Sequence, residues 1–205
     1  MKSRAFSLLE LLVVMAILAV LSAVAIPAVT QTLRASRLGS ASQTLADNLA
    51  FARQTAVARN LSVEVRVYKL PRHSAPAGAP LDSFRAFQFF LLEERGPVPI
   101  GRPEFFSAPV VCSQTPGEAG MVGLTEQSSA AGDPGVGAFG NSVRYVSFRF
   151  TPRGSLAPGQ NNDVLGLSNS FLTLVFEDGP APAGGGNFAA VQCDPFTGRV
   201  RTIRP

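Results

Sequence analysis

The chain is poor in what catalysis and metal binding usually need. Its 205 residues include no tryptophan, one histidine and two cysteines. His73 sits among prolines with no acidic or cysteine neighbour, so no nucleophile–base pair forms around it and no zinc ligand set exists. No metal and no cofactor are expected. Two cysteines, Cys112 and Cys193, allow at most one intramolecular disulfide, which excludes a disulfide-dense miniprotein. Charge is scarce too: 16% of residues are charged, against roughly 25% in an ordinary soluble domain. Hydrophobic residues make up 46% and mean hydropathy is +0.20, so a disordered chain is excluded as well.

The missing charge is concentrated in one place. After Lys2, Arg4 and Glu10 no charged residue appears until Arg34. Residues 11–33 would make roughly 35 Å of helix at about 1.5 Å per residue, enough to cross a bilayer. It is the sole run of that length, so a multi-pass membrane protein is excluded. Lys2 and Arg4 ahead of it predict a cytoplasmic amino terminus, with the remainder facing an oxidising compartment. Three readings fit the run: a secretory signal cut after Ala25, since Ala23-Val24-Ala25 is a small-x-small site; a plain signal anchor; or a segment in which Glu10 has a purpose. A carboxylate at the edge of hydrocarbon costs up to a few kcal/mol and calls for a partner.

The residues from Ala5 to Val14, AFSLLELLVV, closely resemble the processing signal of type IV pilins and type II secretion pseudopilins. The resemblance implies cleavage between Ala5 and Phe6 by a prepilin peptidase, methylation of the new Phe6 amine, and retention of the apolar helix. It also implies that Glu10 pairs with the Phe6 amine of a neighbouring subunit during assembly. Pro27 lies where such helices usually carry a proline; read physically, it removes one helical hydrogen bond and bends the axis. Ala5 departs from the glycine the family prefers at that position, which predicts slower processing.

Residues 31–60 keep a helical rhythm, with Leu38, Ala41, Leu45, Leu49, Ala52 and Ala56 forming one apolar stripe. Phe51 lies off that stripe as a second contact, and Gly39 weakens the helix by roughly 1 kcal/mol relative to alanine. From residue 61 the period becomes two: Val63, Val65 and Val67 alternate with Glu64, Arg66 and Tyr68, as in a half-buried strand. Further strands are expected at residues 84–92, 104–111, 143–150, 171–177, 188–192 and 199–203. A Pro/Ala/Gly loop spans 71–80, and two long loops span 113–140 and 152–168. The expected fold is α+β, a long amino-terminal helix packed on an antiparallel sheet. Its parts are a leader at 1–5, a transmembrane and assembly helix at 6–30, an amphipathic continuation at 31–60 and an extracytoplasmic β domain at 61–205.

The strand pattern resembles the H-class minor pseudopilins and related minor pilins. The matching stretches are AFARQTAVARN at 50–60, FRFTPRG at 148–154 and GRVR at 198–201. The 71–80 insertion and VQCDPFTGRV at 191–200 also look like the D protein of the Verru_Chthon cassette, a pilin-like family.

Other candidates have plainer readings. Glu93-Glu94 reads as a charged strand end before a Gly96-Pro97 turn, Asp133-Pro134-Gly135 as turn chemistry, and the glycines at 184–186 as a linker. A Cys112–Cys193 bridge is expected in an oxidising compartment, closing a loop worth about 4 kcal/mol in the chain-entropy model. Arg199, Arg201 and Arg204 charge an edge strand against aggregation, or else contact nucleic-acid phosphates.

These readings point to a non-catalytic minor pilin or pseudopilin held by one pass in the inner membrane. Its amino terminus would be cytoplasmic and its β domain periplasmic. Its partners would be the prepilin peptidase, other subunits and membrane lipid, with nucleic acid in reserve. The alternatives are a DNA-binding uptake pilin and a signal-peptide-bearing soluble binding domain.

Overall fold

The computed structural model describes the chain except for residues 1–7, 73–82, 116, 130–132, 135–138, 140–142, 159–164, 180–185 and 205, and except for the side chains of residues 24–28. Helix α1 runs Leu8–Arg59, and the chain divides into two compact units, Met1–Arg37 and Leu38–Pro205.

In the first unit the described large apolar side chains all face outward. Leu8, Leu12, Met15, Val20 and Leu33 each keep more than half of their surface open. A helix apolar all round has no buried face of its own and belongs in surroundings as apolar as itself. Among the described residues no helix is long and apolar enough to cross a membrane. In the sequence the apolar run continues through residues 24–28, whose side chains lie outside the described set.

The second unit is an α+β layer pair. Its strands are β1 (Val63–Leu70), β2 (Ser83–Glu93), β3 (Gly96–Phe105), β4 (Val110–Cys112), β5 (Gln127–Ser128), β6 (Arg144–Phe150), β7 (Leu156–Pro158), β8 (Phe171–Phe176), β9 (Phe188–Cys193) and β10 (Val200–Ile203). They form one antiparallel sheet in the order β10-β9-β8-β4-β2-β1-β6-β5, with β3 added to β2 and β7 to β6. The helical stripe is buried as expected: Leu38, Ala41, Leu45, Leu49, Ala52 and Ala56 join Val63, Val65, Val67, Phe148 and Phe150 in one core. Small alanines alternating with leucines let the helix sit close on the sheet, and the valines of β1 supply the opposing ridge. Phe51, expected as a second contact, is about half exposed. The guanidinium of Arg204 lies over Gly39.

Four expectations need correction. The strand expected at 104–111 is the end of β3, a break containing a cis Ala108–Pro109 peptide, and then β4. Gly96 and Pro97 open β3 instead of forming the turn, which is Glu94-Arg95, with Gly96 at φ 124°. β3 holds Pro97, Pro99 and Pro103 because an edge strand tolerates prolines that a central strand does not. β1 is buried on both faces, not one: Glu64 and Arg66 are each 2% exposed. The two long loops also hold structure, namely β5, β7 and a 3-10 turn at Gly120–Gly123.

Candidate functional site

Ala5 and Phe6 lie outside the described residues, and so does His73. Glu10 stands in the first turn of α1, exposed, where a carboxylate is favoured by the helix dipole. Pro27 lies within α1, its side chain outside the described set.

The cysteine bridge is not formed. Cys112 and Cys193 are free, buried thiols. Cys112 lies on β4 opposite Leu174 of β8, Cys193 lies on β9 opposite Val200 of β10, and β8 runs between β4 and β9. Two strand spacings of about 4.8 Å already exceed the roughly 7 Å that a disulfide can span between Cα atoms. Sequence separation alone could not reveal the intervening strand. Burial pushes both thiols up, Cys193 to about 12 from an ordinary 9.0. Burial also raises Tyr68 and Tyr145. The unfolded chain releases these protons at lower pH than the folded one. Stability is therefore complete below about pH 9 and falls as pH rises toward 12. Denaturation midpoints measured from pH 8 to pH 11 should decline; a flat profile would contradict the burial. A thiol reagent at pH 8 should label neither cysteine until the protein unfolds.

The carboxyl-terminal arginines separate into two places. Arg199 and Arg201 line a groove of about 250 Å³ with Arg53 and Gln54 of α1. Arg53 is fixed: its Nε donates to the carbonyl oxygens of Thr197 (2.8 Å) and Gly154 (3.3 Å). Arg204 lies over Gly39 instead, roughly 21 Å along the helix from Arg53 at 1.5 Å per residue. No local pattern marks Arg53 as a neighbour of the tail, because its partners lie more than a hundred positions away.

Sequence reasoning also missed a buried charge cluster on the sheet face away from the helix. Arg66 Nη2 lies 3.0 Å from Glu64 Oε2, and Arg66 Nη1 lies 2.6 Å from Asp133 Oδ1. The guanidinium carbon sits 4.3 Å from the Phe90 ring centre and 4.7 Å from that of Tyr145. Burial pulls the pKa of Arg66 down, but the Glu64 charge and the hydrogen bonds to Glu64 and Asp133 outweigh it, so the net shift is upward. Glu64 Oε1 is buried with no hydrogen-bond partner. The cluster ties Asp133, in the segment between β5 and β6, onto the middle of the sheet. Among the described residues its contacts are those of an ion-pair cluster packed against aromatic rings, and it reads as structural. Among the described residues no group of three or more His, Cys, Asp or Glu could hold a metal ion.

Residues 1–26 match the prokaryotic N-terminal methylation motif. No curated protein matches the chain in sequence. Among solved structures the chain is similar to the minor pseudopilin EpsH from the type 2 secretion system of Vibrio cholerae, at 8% identity and a TM-score of 0.44, over 82% of this chain and 98% of that one. It is also similar to the type IV minor pilin FimU of Pseudomonas aeruginosa, at 15% identity and a TM-score of 0.39, over 83% of this chain and 89% of that one. The chain thus carries a prokaryotic N-terminal methylation motif, with Glu10 inside it, at the head of an α+β protein.

Proposed function

We propose that the chain is a structural subunit of a pilus or pseudopilus, a minor pilin or pseudopilin of a type IV pilus-like or type II secretion filament. The observation that carries this reading is the coincidence of the methylation motif with a first stretch of α1, up to Leu33, whose described large apolar side chains are exposed and whose one acid is Glu10. Cleavage between Ala5 and Phe6 frees an amine that is then methylated. The apolar helix holds the subunit in the inner membrane and afterwards packs among neighbouring helices. Glu10 meets the Phe6 amine of the next subunit, so that a charge costly in hydrocarbon sets the register of assembly. Residues 38–205 are carried outside the membrane, and the protein works by packing and display.

Mass spectrometry of the mature amino terminus should find methylated Phe6, and a chain beginning at Ile26 would sink the reading. Glu10→Ala should leave membrane insertion intact and lower the filament-bound fraction at least about tenfold, equivalent to about 1.4 kcal/mol. Undiminished incorporation would remove Glu10 from the assembly step.

A further inference from the structure

The turn between β9 and β10 is bonded from several sides. Asp194 Oδ1 accepts from the backbone N–H of Phe196 (3.0 Å) and Thr197 (2.8 Å). Gly198 N–H donates to Asp194 O (2.7 Å), and Leu156 N–H to Pro195 O (2.9 Å). Arg53 closes the turn against α1 through the Thr197 carbonyl. The result of all this bonding is a phenylalanine held outward: Phe196 is 78% exposed. Burying such a side chain would contribute about 1.5–3 kcal/mol, which the fold forgoes here. An outward aromatic beside Arg199 and Arg201 has the composition of an interface anchor.

The complement lies on the flank of the same hairpin. Leu172, Leu174, Ala189 and Val191 point into the core, so alternation sends Phe171, Phe188 and Ala190 to the opposite face. There, with Ile203, they line an apolar cavity of about 450 Å³, within the range of small-ligand pockets and ample for a phenyl ring. Glu118 is among its lining residues, and its Oε2 accepts from Ser113 Oγ (3.1 Å).

We propose that Phe196 of one copy docks into the Phe171–Phe188–Ile203 cavity of a second copy, with Arg199 and Arg201 meeting Glu118. The two surfaces differ, so the contact is heterologous and each bound copy offers a fresh turn or a fresh cavity to the next. The turn cannot enter its own cavity while its hydrogen bonds hold. Nucleic acid fits less well, because strand binding uses successive aromatic platforms and a single ring stands beside these arginines. The inference goes beyond the filament reading and lies wholly within residues 38–205, so it can fail while Phe6 methylation succeeds.

The test uses two differently tagged full-length copies expressed together. One carries a photoreactive benzoyl-phenylalanine at position 196, which keeps the aromatic ring. Irradiation should join the two tags, with the adduct mapping to β8 or β9 of the other copy. Glu118→Arg in the receiving copy should lower the yield about tenfold through like-charge contact. Adding Arg199→Glu and Arg201→Glu to the donor copy should restore it. The proposal is overturned by an adduct within one copy, on a different protein or on nuclease-sensitive nucleic acid. A yield indifferent to the charge changes, or no adduct at all, overturns it equally.

Discussion

Replacing Arg66 with methionine should destabilise the folded protein by about 3–5 kcal/mol, the usual loss when one partner of a buried ion pair is removed. Arg66 sits on β1, between β2 and β6, where neither face of the strand reaches water. Its guanidinium answers two carboxylates, with 3.0 Å to Glu64 and 2.6 Å to Asp133, and packs over two rings. Methionine fills much of the same space but leaves Glu64 as a charge with no compensating cation at hydrogen-bond distance among the described residues. Because Glu64 Oε1 already lacks a hydrogen bond, the carboxylate has little else to lean on. The double variant Glu64→Gln, Arg66→Met should recover part of the loss, since it removes the stranded charge along with the pair. Urea midpoints of the two single variants and the double variant close the cycle. A double variant as unstable as the sum of the two singles would show that the residues act independently.

Gly198→Ala is the second large effect, on the order of 2–5 kcal/mol. The backbone at Gly198 has φ 62°, which costs about 1–2 kcal/mol for a residue with a Cβ. That Cβ would also fall on the carbonyl oxygen of Gly154 and press against Arg53, adding about 1–3 kcal/mol of overpacking. The strain cannot be relieved locally, because Gly154, itself at φ 81°, shares Arg53 with the turn. The expected outcome is a lower denaturation midpoint together with faster tryptic cleavage at Arg199 and Arg201, whose turn loosens from the helix. A variant with an unchanged midpoint and cleavage pattern would show that the turn can shift without cost. Phe196→Ala, in contrast, should leave stability within about 0.5 kcal/mol, because the ring it removes is mostly in water.

What could be read from the sequence was set by how local its cause was. The stripe from Leu38 to Ala56 and the strand at β1 are properties of a few consecutive residues, and both stand in the structure, although β1 is buried on both faces and not one. So does the methylation motif, which is a contiguous string. The burial of Glu64 and Arg66 was invisible because their cover comes from Asp133, sixty-odd positions on, and from strands on either side. The same holds for Arg53, whose partners lie at 154 and 197. The disulfide failed for a related reason: which strand lies between two cysteines is a matter of sheet order, and no spacing rule contains it. β5 and β7, with two and three residues, are too short to show a period at all.

The strand order also governs how fast this protein can become itself. β1, the first strand made, pairs with β2 soon after but must wait for β6 before its second edge is closed, and β10 completes the opposite margin only with the last residues of the chain. Such distant pairings pay loop-closure entropy before any contact rewards them, which places the folding time nearer the millisecond-to-second class of all-β proteins than the microseconds of helical ones. During that interval β1, rather than the phenylalanine-rich β2 that β3 covers at once, has an open edge. A newly made chain therefore passes through a period of exposure whose length is fixed by topology and not by the stability of the finished sheet.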